Sequence, residues 1–301
     1  MPNDNLARAA LLLMAGELLL ALMAAMIKHL SLDGLPTELI VFFRNALGLA
    51  FILPILLSTG GLKQLKTQRI GLHFLRASTG VSAMFCFFYT IAHVPLADAI
   101  LVKMTAPFFL PITAMIWLGD RISLRTWAAI FIGFIGVAFI LRPGSSAFNP
   151  VMLVALLSAA LMGIAKVSIR KMADTEPPRR IVFWFGAFST LLSAGPLFWV
   201  DVWPGLTQIK WLLAIGLTAT IAQICMTTAY QLASPGRVGI YNYTAVIWAA
   251  SLGWFVWGEA LHWTTLAGTA LIVSAGIWNL RGHLGSAKRT TQTDPPPADG
   301  K

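Results

Sequence analysis

The sequence predicts an all-α integral membrane protein of ten transmembrane helices, arranged as two inverted five-helix repeats. Three observations carry this. The chain of 301 residues is 57% hydrophobic and 11% charged, with a mean hydropathy of +0.75. A soluble globular chain carries about 25% charged residues, so this one cannot cover a water-facing surface and must turn most of it to lipid. Apolar stretches long enough to span a bilayer recur ten times. One long stretch of the chain is also written twice.

The duplicated stretch runs from Tyr89 to Leu141 and again from Tyr230. Tyr89 matches Tyr230 and Ala92 matches Ala233, at an offset of 141. Thr105-Ala106 then matches Thr244-Ala245, and Gly119-Asp120 matches Gly258-Glu259, at an offset of 139. Each copy passes from a tyrosine through a Pro-containing break into an apolar span ending in Gly-Asp or Gly-Glu. A glycine-studded apolar span follows in both. Internal repetition of this length decides an architecture.

A spanning helix needs about 20 predominantly apolar residues. The segments that qualify are 7–28, 36–57, 69–91, 95–118, 123–141, 149–169, 180–200, 208–230, 235–257 and 262–281. Short connections separate them, marked by Gly34-Leu35-Pro36, Gly60-Gly61, Arg142-Pro143-Gly144, Pro177-Pro178 and Pro204-Gly205. The first repeat is expected over 1–145 and the second over 146–281; the polar, Pro-rich tail 282–301 is expected to be disordered. The first run contains Glu17 and extends to about Ile27, longer than a signal h-region, so it reads as a span.

With the N-terminus inside, 15 of the 22 Lys and Arg fall in inner segments, 3 in outer loops (Lys28, Arg142, Lys210) and 4 within spans. That bias places both termini in the cytoplasm. Five spans per half is an odd number, so the second half enters the membrane upside down. Inverted repeats of this kind are a recurring plan of secondary transporters, with the substrate site near the midplane between the halves.

The net charge of +10 does not indicate nucleic acid, because the basic residues sit in short loops and the tail. Cys86 and Cys225 lie inside apolar spans and read as packing residues, not as a disulfide. The five histidines (29, 73, 93, 262, 283) have no metal-ligand spacing. There is no phosphate loop, nucleophile elbow or paired-carboxylate set. No enzyme, cofactor or metal is expected.

The chemistry rests on charges inside spans, each of which costs several kcal/mol unless paired or wet. Glu17, in mid-span, is the one acidic residue well inside any span; it reads as a proton acceptor or as an anchor for a substrate ammonium. The alternative is a structural partner for Arg44, Arg76 or Lys103. Arg44, followed by Asn45, and Lys103 each lie about two turns into their spans from the outer side. Arg44 could grip a substrate carboxylate in a bidentate fork and Lys103 could bind it as a point charge, or either could tie down carbonyls at a helix break. Arg76, one turn after His73, is expected to snorkel to headgroups, and so is Lys166 near the inner end of span six. Four cations against one carboxylate suit a zwitterion or an anion better than a bare cation.

Tyr89 and Tyr230 hold matched places in the two copies. Tyr241, Asn242 and Trp248 follow the Pro235-Gly236 break, and Gln223 lies within span eight. All can line a cavity with apolar bodies and polar tips, although an interfacial belt or helix packing accounts for most tryptophans. Pro107 and Pro111 remove backbone donors from span four and free carbonyls. Gly133 and Gly136, with Gly268 and Gly276, read as close-packing surfaces at a helix crossing or a homodimer face.

Several stretches carry a family resemblance: FFRNALGLAF in span two, LRASTGVSAMFCFFYTIAHVPLADAILV across spans three and four, and LGDRISLRTWAAIFIGFIGVAFILRPG across span five. AYQLASPGRVGIYNYTAVIWAASLGWFVWGEAL answers them in the second half. Over about residues 7–281 the chain resembles the drug/metabolite transporter superfamily, in its EamA-type branch. The resemblance implies a carrier of the bacterial inner membrane working by alternating access. It implies export of a small polar or zwitterionic metabolite of amino-acid or amino-carboxylate type, an opine-type metallophore among them. Some members of the superfamily import nucleoside-like or vitamin-like compounds, which is the alternative within the class. A membrane sensor or scaffold is the alternative outside it. The expected partners are a small-molecule substrate and membrane lipid.

Overall fold

The computed structural model describes residues 3–58, 65–143, 148–172, 174–232 and 239–290. In chain order the helices are α1 (Asn3–Leu32), α2 (Thr37–Ser58), α3 (Ile70–His93), α4 (Leu96–Lys103), α5 (Ala106–Leu118), α6 (Leu124–Leu141), α7 (Val151–Met172), α8 (Pro178–Ala194), α9 (Leu206–Leu232), α10 (Thr244–Trp257) and α11 (Trp263–Thr290), with 3-10 turns at Gly195–Trp199 and Gly239–Tyr243. No strand occurs among the described residues. Eight helical stretches among them are long and apolar enough to cross a membrane. They match the first eight expected spans, with α4 and α5 forming one stretch, Leu96–Leu118.

The expected ninth and tenth spans fall on α10 and α11, which are not among the eight. α10 has 14 residues, about 21 Å at 1.5 Å per residue, against a hydrocarbon core of about 30 Å. The Pro235-Gly236 break that was to begin this span lies outside the described residues. α11 runs past its expected end to Thr290, since extending an existing helix fixes only one residue per added bond. Residues 291–301 lie outside the described residues.

The expected continuous span four is in fact two helices. Pro107 has no N–H to give the Lys103 carbonyl, and its ring crowds that oxygen. The helix therefore stops at Lys103 and restarts at Ala106. Thr105 bridges the break, its hydroxyl donating to the Val102 carbonyl at 2.6 Å. The matched position in the second half shares the threonine but not the proline: Thr244, after a 3-10 turn, donates to the Tyr241 carbonyl at 2.7 Å, and Val246 stands where the first half has Pro107. Both following helices end on a left-handed glycine, Gly119 at φ 74° and Gly258 at φ 67°, a conformation that other residues adopt only with strain.

Cross-chain contacts gather the loops at two ends. At one end, Lys28 meets the Val94 carbonyl, and Gln208 meets Asp33 at 2.8 Å. At the other, Trp184 donates to the Leu65 carbonyl at 2.8 Å, and Arg125 to the Trp278 carbonyl at 2.7 Å. Between the ends, helices from the first part of the chain pack on helices from the second: α1 on α9 and α10, α3 on α7 and α8, α2 on α8 and α9, α6 on α11.

Small residues permit these approaches. A Cβ on Gly136 would sit 2.8 Å from the Gly268 carbonyl, and one on Gly268 would sit 2.5 Å from the Gly136 carbonyl. The α6–α11 crossing is therefore backbone against backbone, as the glycine pattern predicts. Gly136→Leu should lower the melting temperature in detergent, since overpacking costs about 1–3 kcal/mol. Gly71→Ala, with nothing within 4 Å of its Cβ, should melt like the wild type.

Candidate functional site

α1 buries Glu17, which is only 4% exposed. The cations acting on it are Lys103 and Lys166; among the described residues neither reaches ion-pair distance. Lys103 is the last residue of α4, where the unpaired carbonyls of a helix end favour a cation. Its ammonium lies 4.4 Å from the centre of the Phe87 ring. Lys166, on α7, is exposed and lies within the electrostatic reach of both Glu17 and Lys103. Arg44 also acts on Lys103.

Beside this cluster lies a cavity of about 110 Å³ between α2, α3, α8 and α9, bounded by Arg44, Asn45, Arg76, Phe185, Thr220 and Gln223 among others. Asn45 is buried and accepts from Arg44 Nη1 at 3.1 Å, and it donates to Ser193 Oγ at 3.4 Å. Arg76 departs from expectation. Its guanidinium lies 3.9 Å over the Phe185 ring, inside the protein and away from headgroups. Gly80, one turn on, makes room for that ring: a Cβ there would stand 2.9 Å from Phe185 Cε2. No sequence signal pointed to Phe185 or Thr220, since an aromatic or a threonine in an apolar span is usually packing.

The aromatic candidates do not converge on one wall. Tyr89 is 42% exposed, stacks on His93 with ring centres 4.2 Å apart, and lines a separate groove with Glu38 and Cys86 near the Lys28 end. Tyr241 packs against Ala9, Leu13 and Ala229. Asn242 lies beside it in the 3-10 turn. Trp248 on α10 keeps a buried indole N–H with no partner among the described residues. The side chain of Tyr230 lies outside the described residues.

Both ends carry latches that the sequence did not announce. Lys28 pairs with Glu259, donates to the Val94 carbonyl at 2.8 Å and stands 5.4 Å from the centre of the Trp257 ring. Glu259 also accepts from the Leu96 amide at 2.8 Å, capping α4. The matched acid, Asp120, pairs with Arg170 at 2.7 Å at the opposite end. The first pair is nearly buried and the second is exposed.

A further cluster at the Asp120 end ties Glu176 to Thr67 at 2.7 Å and Arg180 at 2.9 Å, with His73 Nε2 at 3.5 Å and poorly aligned for a hydrogen bond. Burial pushes the Glu176 carboxyl up, but the Thr67 hydroxyl and Arg180 guanidinium outweigh it and hold the group below the ordinary carboxylate range. A depressed carboxylate stabilises above its unfolded pKa, and that stability is lost as pH falls through the folded value. The melting-temperature gap between wild type and Glu176→Gln should therefore stay constant near neutrality and shrink below about pH 4.3.

A multi-pass helical membrane protein with two embedded arginines lining an interior cavity, and a buried carboxylate with further cations beside it, has the build of a membrane transporter. The chain belongs to the EamA-like transporter family, whose profile matches residues 7–142 and again 149–280. It is similar to the pseudopaline exporter of Pseudomonas aeruginosa, 33% identical over 277 residues, covering 91% of this chain and 96% of that one. It is also similar to a riboflavin transporter of Brucella anthropi (26%, covering 85% and 92%) and to an S-adenosylmethionine uptake transporter of Rickettsia bellii (24%, covering 79% and 82%). One crystal structure superposes with a TM-score of 0.62 at 21% identity, covering 91% of this chain and 97% of the other, a likeness of fold. The family and these relatives are transporters, not enzymes.

Proposed function

We propose that the protein exports a small zwitterionic metabolite, an amino-acid or amino-carboxylate derivative such as an opine-type metallophore, across the bacterial inner membrane by alternating access. The observation that carries this is the convergence of Glu17 with Lys103, Lys166 and Arg44, one carboxylate among several cations. Glu17 accepts a proton or holds the substrate ammonium, while Lys103 and Arg44 hold its carboxylate. Asn45 orients Arg44. Tyr241, Asn242 and Trp248 border the path beside the second helix break, and Tyr89 lines the groove at one approach to it. Export is favoured by the likeness to a pseudopaline exporter over nearly the full chain.

The carrier works as ten helices in two inverted five-helix repeats, with both termini cytoplasmic. Three features support the plan: the family profile matches twice, a threonine hydroxyl donates back to a carbonyl at each matched Thr-Ala step, and each Gly-acid turn pairs with a base at the end of the other half's first helix. Rocking of the halves would alternately release the Lys28–Glu259 and Arg170–Asp120 pairs.

Import of a vitamin-like or nucleoside-like compound is the second reading, favoured by the relatives that carry riboflavin or take up S-adenosylmethionine. Untargeted metabolite profiling of cells and medium, with the gene deleted and overexpressed, separates the two. A compound retained inside the deletion strain and released by the overexpressor supports export. A compound depleted from the medium only when the protein is present supports import and contradicts the export reading.

A further inference from the structure

The cavity of about 110 Å³ holds two guanidinium groups, Arg44 and Arg76, and no carboxylate among its lining residues. Charges of one sign in so small a space repel, and ionisable residues within apolar spans mark substrate or ion pathways when they face a cavity. Arg76 is held by its face. Its guanidinium stacks on Phe185 at 3.9 Å, an arrangement that Gly80 makes room for. Stacking occupies the π surface and leaves the in-plane N–H groups free. Two of those nitrogens, Nε and Nη1, are buried with no partner among the described residues. A buried donor without a partner carries a desolvation penalty; Nε and Nη1 lie on the two edges of the guanidinium, Nε–Nη2 and Nη1–Nη2, and either edge can grip a carboxylate with two parallel hydrogen bonds. Arg44, by contrast, already spends one Nη1 bond on Asn45. Around the fork stand the Thr220 hydroxyl and Gln223, and Glu17 lies outside this lining, among Lys103 and Lys166.

We infer that Arg76 forms a second anion subsite, so that the cargo carries two carboxylates: one held by Lys103 and Arg44 with the amine near Glu17, the other gripped by Arg76. This rests on the zwitterion reading above and narrows it to amino-dicarboxylates. Arg76 is then a specificity residue, distinguishing a two-carboxylate cargo from an ordinary amino acid.

Two probes differing by one carboxylate test the assignment: N-(1-carboxyethyl)alanine and N-ethylalanine. They are titrated by calorimetry against the full chain in nanodiscs of neutral lipid. Wild type should bind the dicarboxylate about tenfold more tightly, the scale of a charge-assisted hydrogen-bonded contact. Arg76→Gln should bring the two affinities within about twofold, and Arg76→Lys, which keeps the charge without the fork, should fall between. A tenfold preference that survives Arg76→Gln overturns the subsite while leaving the zwitterion reading in place. Wild type that binds N-ethylalanine as tightly as the dicarboxylate does the same. Wild type that binds neither probe overturns both. Added phosphatidylglycerol that stabilises wild type but not Arg76→Gln, with no probe preference, assigns Arg76 to a lipid headgroup and overturns the subsite.

Discussion

Glu17→Gln is expected to abolish net transport, or to uncouple it from the pH gradient, while the protein remains inserted and folded. The substitution keeps the shape of a side chain that is only 4% exposed and removes its charge and its proton-accepting oxygen. With Glu17 neutralised, Lys103 and Lys166 lose the one carboxylate that acts on both, and the interior holds cations alone. Removing a charged partner from a buried site costs about 3–5 kcal/mol, equivalent to a loss of at least a hundredfold in binding of the ammonium-bearing cargo. Flux measured at several external pH values in cells expressing equal amounts of protein separates the two roles proposed for Glu17. A substrate anchor loses flux at every pH. A proton acceptor retains exchange but loses its dependence on the gradient.

The second large effect is expected at the buried latch. Lys28→Met leaves the Glu259 carboxylate nearly buried, still capping Leu96 but without its cation. An uncompensated buried charge costs about 3–5 kcal/mol, so the melting temperature should drop and this end should open more often. A cysteine placed at Ala97, which is 3% exposed and one residue beyond Leu96 in α4, should then react with a water-soluble thiol reagent that spares it in the wild type. Adding Glu259→Gln should recover much of the stability, because the amide can still accept from Leu96 and no lone charge remains. Arg170→Ala, in the exposed counterpart, should change stability by less than about 1 kcal/mol. Equal effects at the two ends would contradict the asymmetry between them.

The sequence and the structure agree most closely where one residue dictates geometry. Pro107 announced a weak point in span four, and the helix stops just before it. Gly136 and Gly268 announced a close crossing, and their backbones meet. The embedded charges were legible as a set because an ionisable residue in an apolar span is rare whatever surrounds it. Their facing was not, since both Arg76 and Lys166 lie deep enough to serve a cavity and near enough to an end to snorkel. Only packing decides, and for Arg76 it came from Phe185, elsewhere in the chain. The latches were invisible for another reason. Lys28 and Glu259 are 231 residues apart, and each alone reads as an ordinary loop charge. Tyr89, from its matched place in the repeat, lines a groove separate from the one that holds Arg44 and Arg76.

The most direct test of the charged interior as a transport site is counterflow in proteoliposomes of the cargo identified by metabolite profiling, under imposed pH gradients, with wild type beside Glu17→Gln. Wild type should accumulate the compound in response to the gradient, and Glu17→Gln should either fail to move it or exchange it without regard to pH. Accumulation by Glu17→Gln at the wild-type rate and with the wild-type pH response would contradict the account.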